Sequence, residues 1–346
     1  MQNNMKNPLQ YVRRNIAELT PYSTARDEYK GPLGVFLDAN ESPYDNGVNR
    51  YPDPAQKQLK KLLAGIKGAG AENIFIGNGS DEAIDLCFRV FCNPGRDTAV
   101  AIAPSYGMYK VASAINDVRM REVQLEEDFS LSTEKLFAAV DSTTKLLWLC
   151  SPNNPSGNCF PTDQLTEIIE RFDGIVVLDE AYIDFAPSQS LLPTLMNHPN
   201  LIILQTLSKA WGMAGLRLGL AFADSRIIDL FSRVKYPYNI NCVTQKMVAE
   251  RLMRGIERQV AEICSEREKI AGQLKKCRAI EKVYPSSANF VLVKTRDADR
   301  LYDRLIEGGI IVRNRSRIKG CEGCLRITVG TPSENEKMLK IINEYA

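Results

Sequence analysis

The chain has 346 residues, 44% apolar and 25% charged, ordinary values for a globular protein with one large and one small domain. Its 44 basic and 42 acidic side chains leave a formal net charge of +2, so no basic field favours nucleic acid or a membrane surface. No apolar run approaches the roughly 20 residues that span a bilayer.

Nine cysteines are scattered without a secretory framework, and Met1-Gln2-Asn3-Asn4-Met5-Lys6 has no apolar export segment, so a cytoplasmic protein with reduced thiols is expected. One histidine, His198, lies in a polar Asn-His-Pro-Asn turn, which excludes a His-rich zinc site and speaks against a histidine base. Cys321-Glu322-Gly323-Cys324 has CxxC spacing, but no second pair accompanies it. Two incidental loop thiols and no metal are expected.

Residues 1–34 read as an amino-terminal arm, with a short helix over 8–18 and a polar stretch running to Gly34. A large domain over 35–250 and a small one over 251–346 follow. Val35-Phe36-Leu37 reads as a brief strand that breaks at Asp38-Ala39-Asn40-Glu41-Ser42-Pro43, and the Pro-rich turn after Arg50-Tyr51 opens a helix over 56–65. A strand over 74–76, a turn Gly77-Asn78-Gly79-Ser80-Asp81 and a helix over 82–91 form the next unit. Free N–H groups at such a helix start bind phosphate, although the spacing is not the dinucleotide fingerprint.

Strands over 98–103, 118–123, 145–150 and 175–179 then alternate with helices over 105–114, 131–140 and 162–171. That alternation predicts an α/β fold with a mostly parallel sheet covered by helices. Each strand ends at something polar and singular: Pro104-Ser105-Tyr106, then Ser151-Pro152-Asn153-Asn154, then Asp179-Glu180-Ala181-Tyr182. Ligands of such sheets collect along that rim.

The next apolar run, 201–204, leads into Thr206-Leu207-Ser208-Lys209-Ala210-Trp211-Gly212-Met213-Ala214-Gly215-Leu216-Arg217. This places an amine nucleophile at a strand's carboxyl end among anion binders. A lysine attacks carbonyls when burial or a neighbouring cation lowers its pKa, and the anion binders call for a phosphate on the carbonyl compound. Pyridoxal 5'-phosphate meets both requirements. Asp179, at the end of an apolar strand, needs a cationic partner, which a protonated pyridine nitrogen supplies. Tyr106 would stack on the ring, and Asn154 and Tyr182 would hydrogen-bond its phenolic oxygen. Thr206, Ser208, Arg217 and the N–H groups near Ser80 and Asp81 would hold the phosphate. Lys209 would form the internal aldimine and then, once freed, shuttle the substrate's proton.

A strand over 218–222 and a helix over 225–232 follow, and a helical stretch over 242–277 connects to the smaller α/β lobe. There the reading gives strands over 288–293, 309–313 and 325–329, a helix over 298–307 and a closing helix from Ser333.

The motifs at 151–157, 179–182 and 208–217 together resemble those of fold-type I, class I/II aminotransferases. Leu19-Thr20-Pro21-Tyr22, Asn40-Glu41-Ser42-Pro43, Arg50-Tyr51-Pro52, Pro104-Ser105-Tyr106-Gly107-Met108-Tyr109 and Gly323-Cys324-Leu325-Arg326-Ile327-Thr328-Val329-Gly330 are similar, in order, to the branch acting on histidinol phosphate. The resemblance covers nearly the whole chain. It implies amino-group transfer between L-histidinol phosphate and 2-oxoglutarate, giving imidazole acetol phosphate and glutamate, within histidine biosynthesis. It also implies a homodimer with shared active sites, in which the partner subunit's Tyr51 reaches the cofactor phosphate. Arg326, with Arg313, Asn154 and Tyr22, would receive the substrate, whose phosphate or carboxylate suits arginine's planar fork. Arg313 lies in the cationic run Arg313-Asn314-Arg315-Ser316-Arg317, where Arg315 and Arg317 compete for its role.

Other readings stay open at this point. Aromatic amino acid aminotransferases share the cofactor motifs, and a decarboxylase acting on threonine phosphate is a relative. A non-catalytic pyridoxal-phosphate sensor would need a DNA-binding module, for which the roughly 34 residues before the core are too few. A plain binding protein using an apolar cleft is the remaining possibility.

Overall fold

Among the described residues, runs of branched and aromatic residues bounded by turns become eleven strands in two sheets. The computed structural model describes residues 6–22 and 34–345; the stretch 23–33, read above as part of the arm, lies outside the described residues. The larger sheet holds β1 (Ile74–Asn78), β2 (Thr98–Ala103), β3 (Arg119–Gln124), β4 (Thr144–Cys150), β5 (Ile175–Asp179), β6 (Leu201–Thr206) and β7 (Leu218–Ala223), in the order β1-β7-β6-β5-β4-β2-β3. Every pairing is parallel except those of β7, which runs antiparallel to both β1 and β6.

That reversal decides where the site lies. The carboxyl ends of β4, β5 and β6 fall in register through Cys150↔Asp179 and Asp179↔Leu204. β7 then starts on the same rim, with Gly219 opposite both Thr206 and Gly77.

The strands are apolar on both faces because helices cover both. On β4, Leu147 and Leu149 join one core cluster while Leu146 and Trp148 join the other, as the two-residue period of a strand requires. Trp148 is fully buried and stacks between Phe88, at 5.2 Å, and Tyr109, at 4.8 Å. Truncating such a side chain to alanine costs about 3–5 kcal/mol, and here it would also release Tyr109.

The helix Ser80–Phe91 buries Ala83, Ile84, Leu86, Cys87, Phe88, Val90 and Phe91, nearly all round, as befits a helix wedged between the sheet and its outer helices. It starts at the rim because Gly79, at φ 74, makes the turn out of β1.

The smaller sheet is antiparallel, with β8 (Ile280–Val283), β9 (Phe290–Thr295), β10 (Arg313–Asn314) and β11 (Cys324–Thr328) in the order β10-β11-β9-β8. Its outer face packs Val291, Val293, Leu325 and Ile327 against helices Glu257–Leu274, Ala298–Glu307 and Pro332–Tyr345. Its inner face sets Leu292, Cys321 and Cys324 against Phe129 of the larger lobe. The two thiols of the CxxC are therefore buried packing groups.

Several expected elements differ. Val35 and Leu37 form no strand and are 88% exposed, since no strand among the described residues offers them a ladder. The strand expected at 309–313 shrinks to β10, because the chain turns at Gly309, φ 75, and pairs only from Arg313. The helical stretch 242–277 is two helices, Cys242–Leu252 and Glu257–Leu274, separated by Gly255 at φ 65. β8 is short and half polar, which hid it. The helix expected over 8–18 is a 3-10 turn Pro8–Tyr11 followed by Arg14–Ala17.

Candidate active site

The rim encloses one cavity lined by Ser80, Asp81, Tyr106, Asn154, Asp179, Tyr182, Thr206, Ser208, Lys209 and Arg217, together with Cys150, Ala181 and Ala214. Ten residues singled out from the sequence thus meet in one place, brought from six segments by strand ends in register.

At the cavity floor is Asp179. One carboxylate oxygen accepts from the buried Tyr109 hydroxyl at 2.5 Å, the other from the Ala181 N–H at 2.9 Å. Burial pushes the carboxyl up to about 6, against the downward pull of those two hydrogen bonds. Asp179 makes no ion pair among the described residues. A buried carboxylate held this way is completed by a cationic N–H donor, which fits a protonated ring nitrogen.

Lys209 stands with its Nζ 5.6 Å from the centre of the Tyr182 ring. Burial and the nearby Arg326 lower its pKa, Arg217 acts in the same direction, and Asp179 opposes them. These are the conditions that make an amine nucleophilic.

The opposite end of the cavity is drawn together by backbone. Gly79 N–H donates to Arg217 O at 2.8 Å, and Leu207 N–H to Leu218 O at 3.1 Å, tying the start of helix Ser80–Phe91 to the Lys209 loop. The approach is so close that a Cβ on Gly219 would lie 2.0 Å from the Ser80 nitrogen. Thr206 Oγ1 and Ser208 Oγ lie 3.0 Å apart, and Arg217, at φ 52, turns its guanidinium to 3.5 Å from Asp81. Hydroxyls, a guanidinium and the helix start together form a ready anion cradle. Asp81 also accepts from the Tyr106 hydroxyl at 3.1 Å, which fixes that ring at the cavity edge.

Asn153 braces the neighbouring loops. It donates to Pro104 O at 3.0 Å and to Ser156 Oγ at 2.7 Å, and accepts from Ser105 at 3.0 Å. Asn154 is left facing the cavity, where Arg326 of the small sheet donates to its Oδ1. Arg326 also lies over the Phe290 ring at 5.2 Å, and Phe290 meets Tyr182 edge-on at 5.2 Å.

Other expected residues stand elsewhere. Arg313 pairs across from Arg326 but is exposed. Tyr22 is 76% exposed and lines a different cavity with Lys60 and Lys235. Tyr51 stacks on Tyr238, ring centres 4.3 Å apart. Neither tyrosine reaches the Lys209 cavity of its own chain. His198 is buried behind the sheet, where burial lowers its pKa.

Tyr109 escaped notice as a site residue. Its spacing of three from Tyr106, at a helix start, puts the two on one side, and their rings meet edge-on at 5.6 Å. That spacing was the available signal.

Residues 27–342 match the family described as aminotransferase class I and II. Among curated relatives, the histidinol-phosphate aminotransferase of Parabacteroides distasonis is 51% identical over 97% of this chain and 98% of its own. That of Bacteroides thetaiotaomicron is 50% identical over 99% of each. Among solved structures, histidinol-phosphate aminotransferase from Sinorhizobium meliloti in complex with pyridoxal-5'-phosphate matches with a TM-score of 0.77 and 25% identity, over 86% of this chain and 84% of that one. With a lysine at the rim of a mostly parallel sheet, a buried aspartate beneath it and an anion cradle beside it, the chain belongs to the class I and II aminotransferases.

Proposed function

We propose that this chain moves an amino group between L-histidinol phosphate and 2-oxoglutarate, giving imidazole acetol phosphate and L-glutamate in histidine biosynthesis, with pyridoxal 5'-phosphate as cofactor. The observation that carries the substrate is the likeness, at about half identity and over nearly the full length of both chains, to enzymes named for it.

When bound, the cofactor supplies an electrophilic carbonyl carbon and an electron-withdrawing ring. Asp179 would hold the proton on the ring nitrogen, itself oriented by Tyr109 and the Ala181 N–H. Thr206, Ser208, Arg217 and the N–H groups of Ser80 and Asp81 would anchor the phosphate, and Tyr106 would back the ring. Asn154 and Tyr182 would hydrogen-bond the phenolic oxygen. Lys209 Nζ, its pKa lowered, takes the proton from the substrate carbon bearing the amine and returns one on the other side of the reaction. Arg326, with Arg313, would receive the anionic end of either substrate.

Tyr22 and Tyr51, remote from the cavity of their own chain, fit a cytoplasmic homodimer in which the partner subunit's Tyr51 completes the phosphate cradle. Among the described residues no helix is long and apolar enough to cross a membrane.

The test is single-turnover mixing of holoenzyme with L-histidinol phosphate and, separately, phenylalanine, following the visible absorbance of the cofactor. Fast conversion by histidinol phosphate alone is expected. Equal or faster conversion by phenylalanine would assign an aromatic aminotransferase instead.

A further inference from the structure

Three arginines share one face of the small sheet. Arg313 pairs directly with Arg326 across β10 and β11, while Asn314 pairs with Leu325. Arg315 continues the ladder, its N–H donating to Cys324 O at 2.9 Å. Side chains alternate along a strand, so Arg313 and Arg315 point to the same side, and Arg315 is the diagonal neighbour of Arg326. Leu325 points the other way, into the outer core. Cys324 and Leu292 mark the arginine face as the one turned toward the larger lobe, and Arg326 extends from it to Asn154.

Among the described residues no carboxylate forms an ion pair with Arg313, Arg315 or Arg326, and Asp299 accepts instead from Asn314 and Ser316 of the same run. Arg315 and Arg326 are each half-buried, and the Nε of both is buried without a hydrogen-bond partner. Buried donors are almost always satisfied, so two neighbouring guanidinium Nε donors left open beside Asn154 of the Lys209 cavity call for an acceptor that the described residues do not supply. Burial, then Arg326, then Arg313 push the Arg315 pKa down, as expected of like charges held together without a neutralising group.

A carboxylate brings one charge and two oxygens, which a pair of arginines satisfies. A phosphate monoester brings nearly two charges and three oxygens. We infer that Arg315 is a third anion-binding arginine of the substrate site, one that selects the phosphate of the amino donor over the side-chain carboxylate of glutamate. The inference rests on the substrate reading above and assigns it a residue.

The test compares wild-type holoenzyme with Arg315→Gln and Arg315→Lys in the two half-reactions, one driven by L-histidinol phosphate and one by glutamate. Arg315→Gln should weaken the apparent affinity for histidinol phosphate about ten-fold or more, the scale of one lost charge-assisted hydrogen bond. Its limiting rate should stay within about three-fold, as expected when binding rather than transition-state contact is lost. The glutamate half-reaction should change less than about three-fold on the same reasoning, and Arg315→Lys should recover much of the loss. Equal losses in both half-reactions, or none in either, would overturn the inference. If wild type does not react with histidinol phosphate, the substrate reading itself falls. Inorganic phosphate competing against glutamate then decides about Arg315: the inference stands if Arg315→Gln weakens that inhibition about ten-fold, and falls if it does not.

Discussion

The guanidinium of Arg326, on the central strand of the small sheet, donates to Oδ1 of Asn154, which follows β4 of the large one. One hydrogen bond thus joins the cofactor cavity to the proposed anion site. Replacing Arg326 with alanine removes the anion partner and leaves the Asn154 amide oxygen without its donor. KM for histidinol phosphate should rise on the order of 100-fold, the scale of losing one partner of a buried charge-assisted contact. Near-normal steady-state kinetics would remove Arg326 from the substrate site.

Lys209→Ala should lower the transamination rate by about 10⁴-fold or more, since nucleophile and proton carrier are lost together. The far-ultraviolet circular dichroism should be unchanged, because the Lys209 amine makes no hydrogen bond among the described residues. Surviving turnover would mean that another amine carries the chemistry.

Tyr109→Phe deletes a donor that favours the ionised form of Asp179. Without it the Asp179 pKa moves above its present value of about 6. If Asp179 holds the ring nitrogen as proposed, cofactor affinity needs the carboxylate, so affinity should fall as pH drops through about 6 in wild type and begin falling at a higher pH in the variant. Titrating pyridoxal phosphate binding from about one pH unit below the wild-type midpoint to about two above it reads the displacement. Coincident curves would mean that the hydroxyl does not tune Asp179.

Glu180, the next residue, points away from the cavity and is buried. It accepts from Leu191 N–H, Ser190 Oγ and Gln205 Nε2, and burial pushes its carboxyl up to about 7. A folded-state pKa above the unfolded value means that the folded protein holds the extra proton. Stability from this group is full below the ordinary glutamate value of 4.5 and is lost as pH rises through about 7. Gln205 Oε1 is buried without a donor, and Glu180→Gln supplies an amide that can reach it after a side-chain flip. The variant should therefore be more stable at pH 8, by up to about 3 kcal/mol, with a flatter dependence below that pH. A denaturant midpoint at pH 8 lower than wild type would contradict this.

Much of this was legible in the chain because buried parallel strands announce themselves. The helix Thr162–Arg171 and strand β5 fall where the apolar pattern puts them, since their burial leaves few alternative registers. The meeting of Asp179, Lys209 and Tyr106 followed from rim logic alone. What stayed hidden depends on partners distant in sequence. Val35 and Leu37 have strand-like residues but no ladder, and β10 is limited by where β11 passes. Tyr109 matters only because Trp148 and Phe88 stack it toward Asp179. The Arg315 position could not be told from Arg313 or Arg317 until the pairing of Arg313 with Arg326 fixed which residues of the cationic run share a face.

The reversed strand β7 also imposes an order of events. It is the last of the seven strands to be synthesised, yet among the described residues it is the sole sheet partner of the first, β1. As the chain leaves the ribosome, the helix start at Ser80 exists long before the Thr206 to Gly219 segment that closes around it. Until β7 slides between β1 and β6, the sheet is split and the anion cradle has only one wall. The proposed cradle for the cofactor phosphate is therefore complete only once β7 has joined the sheet.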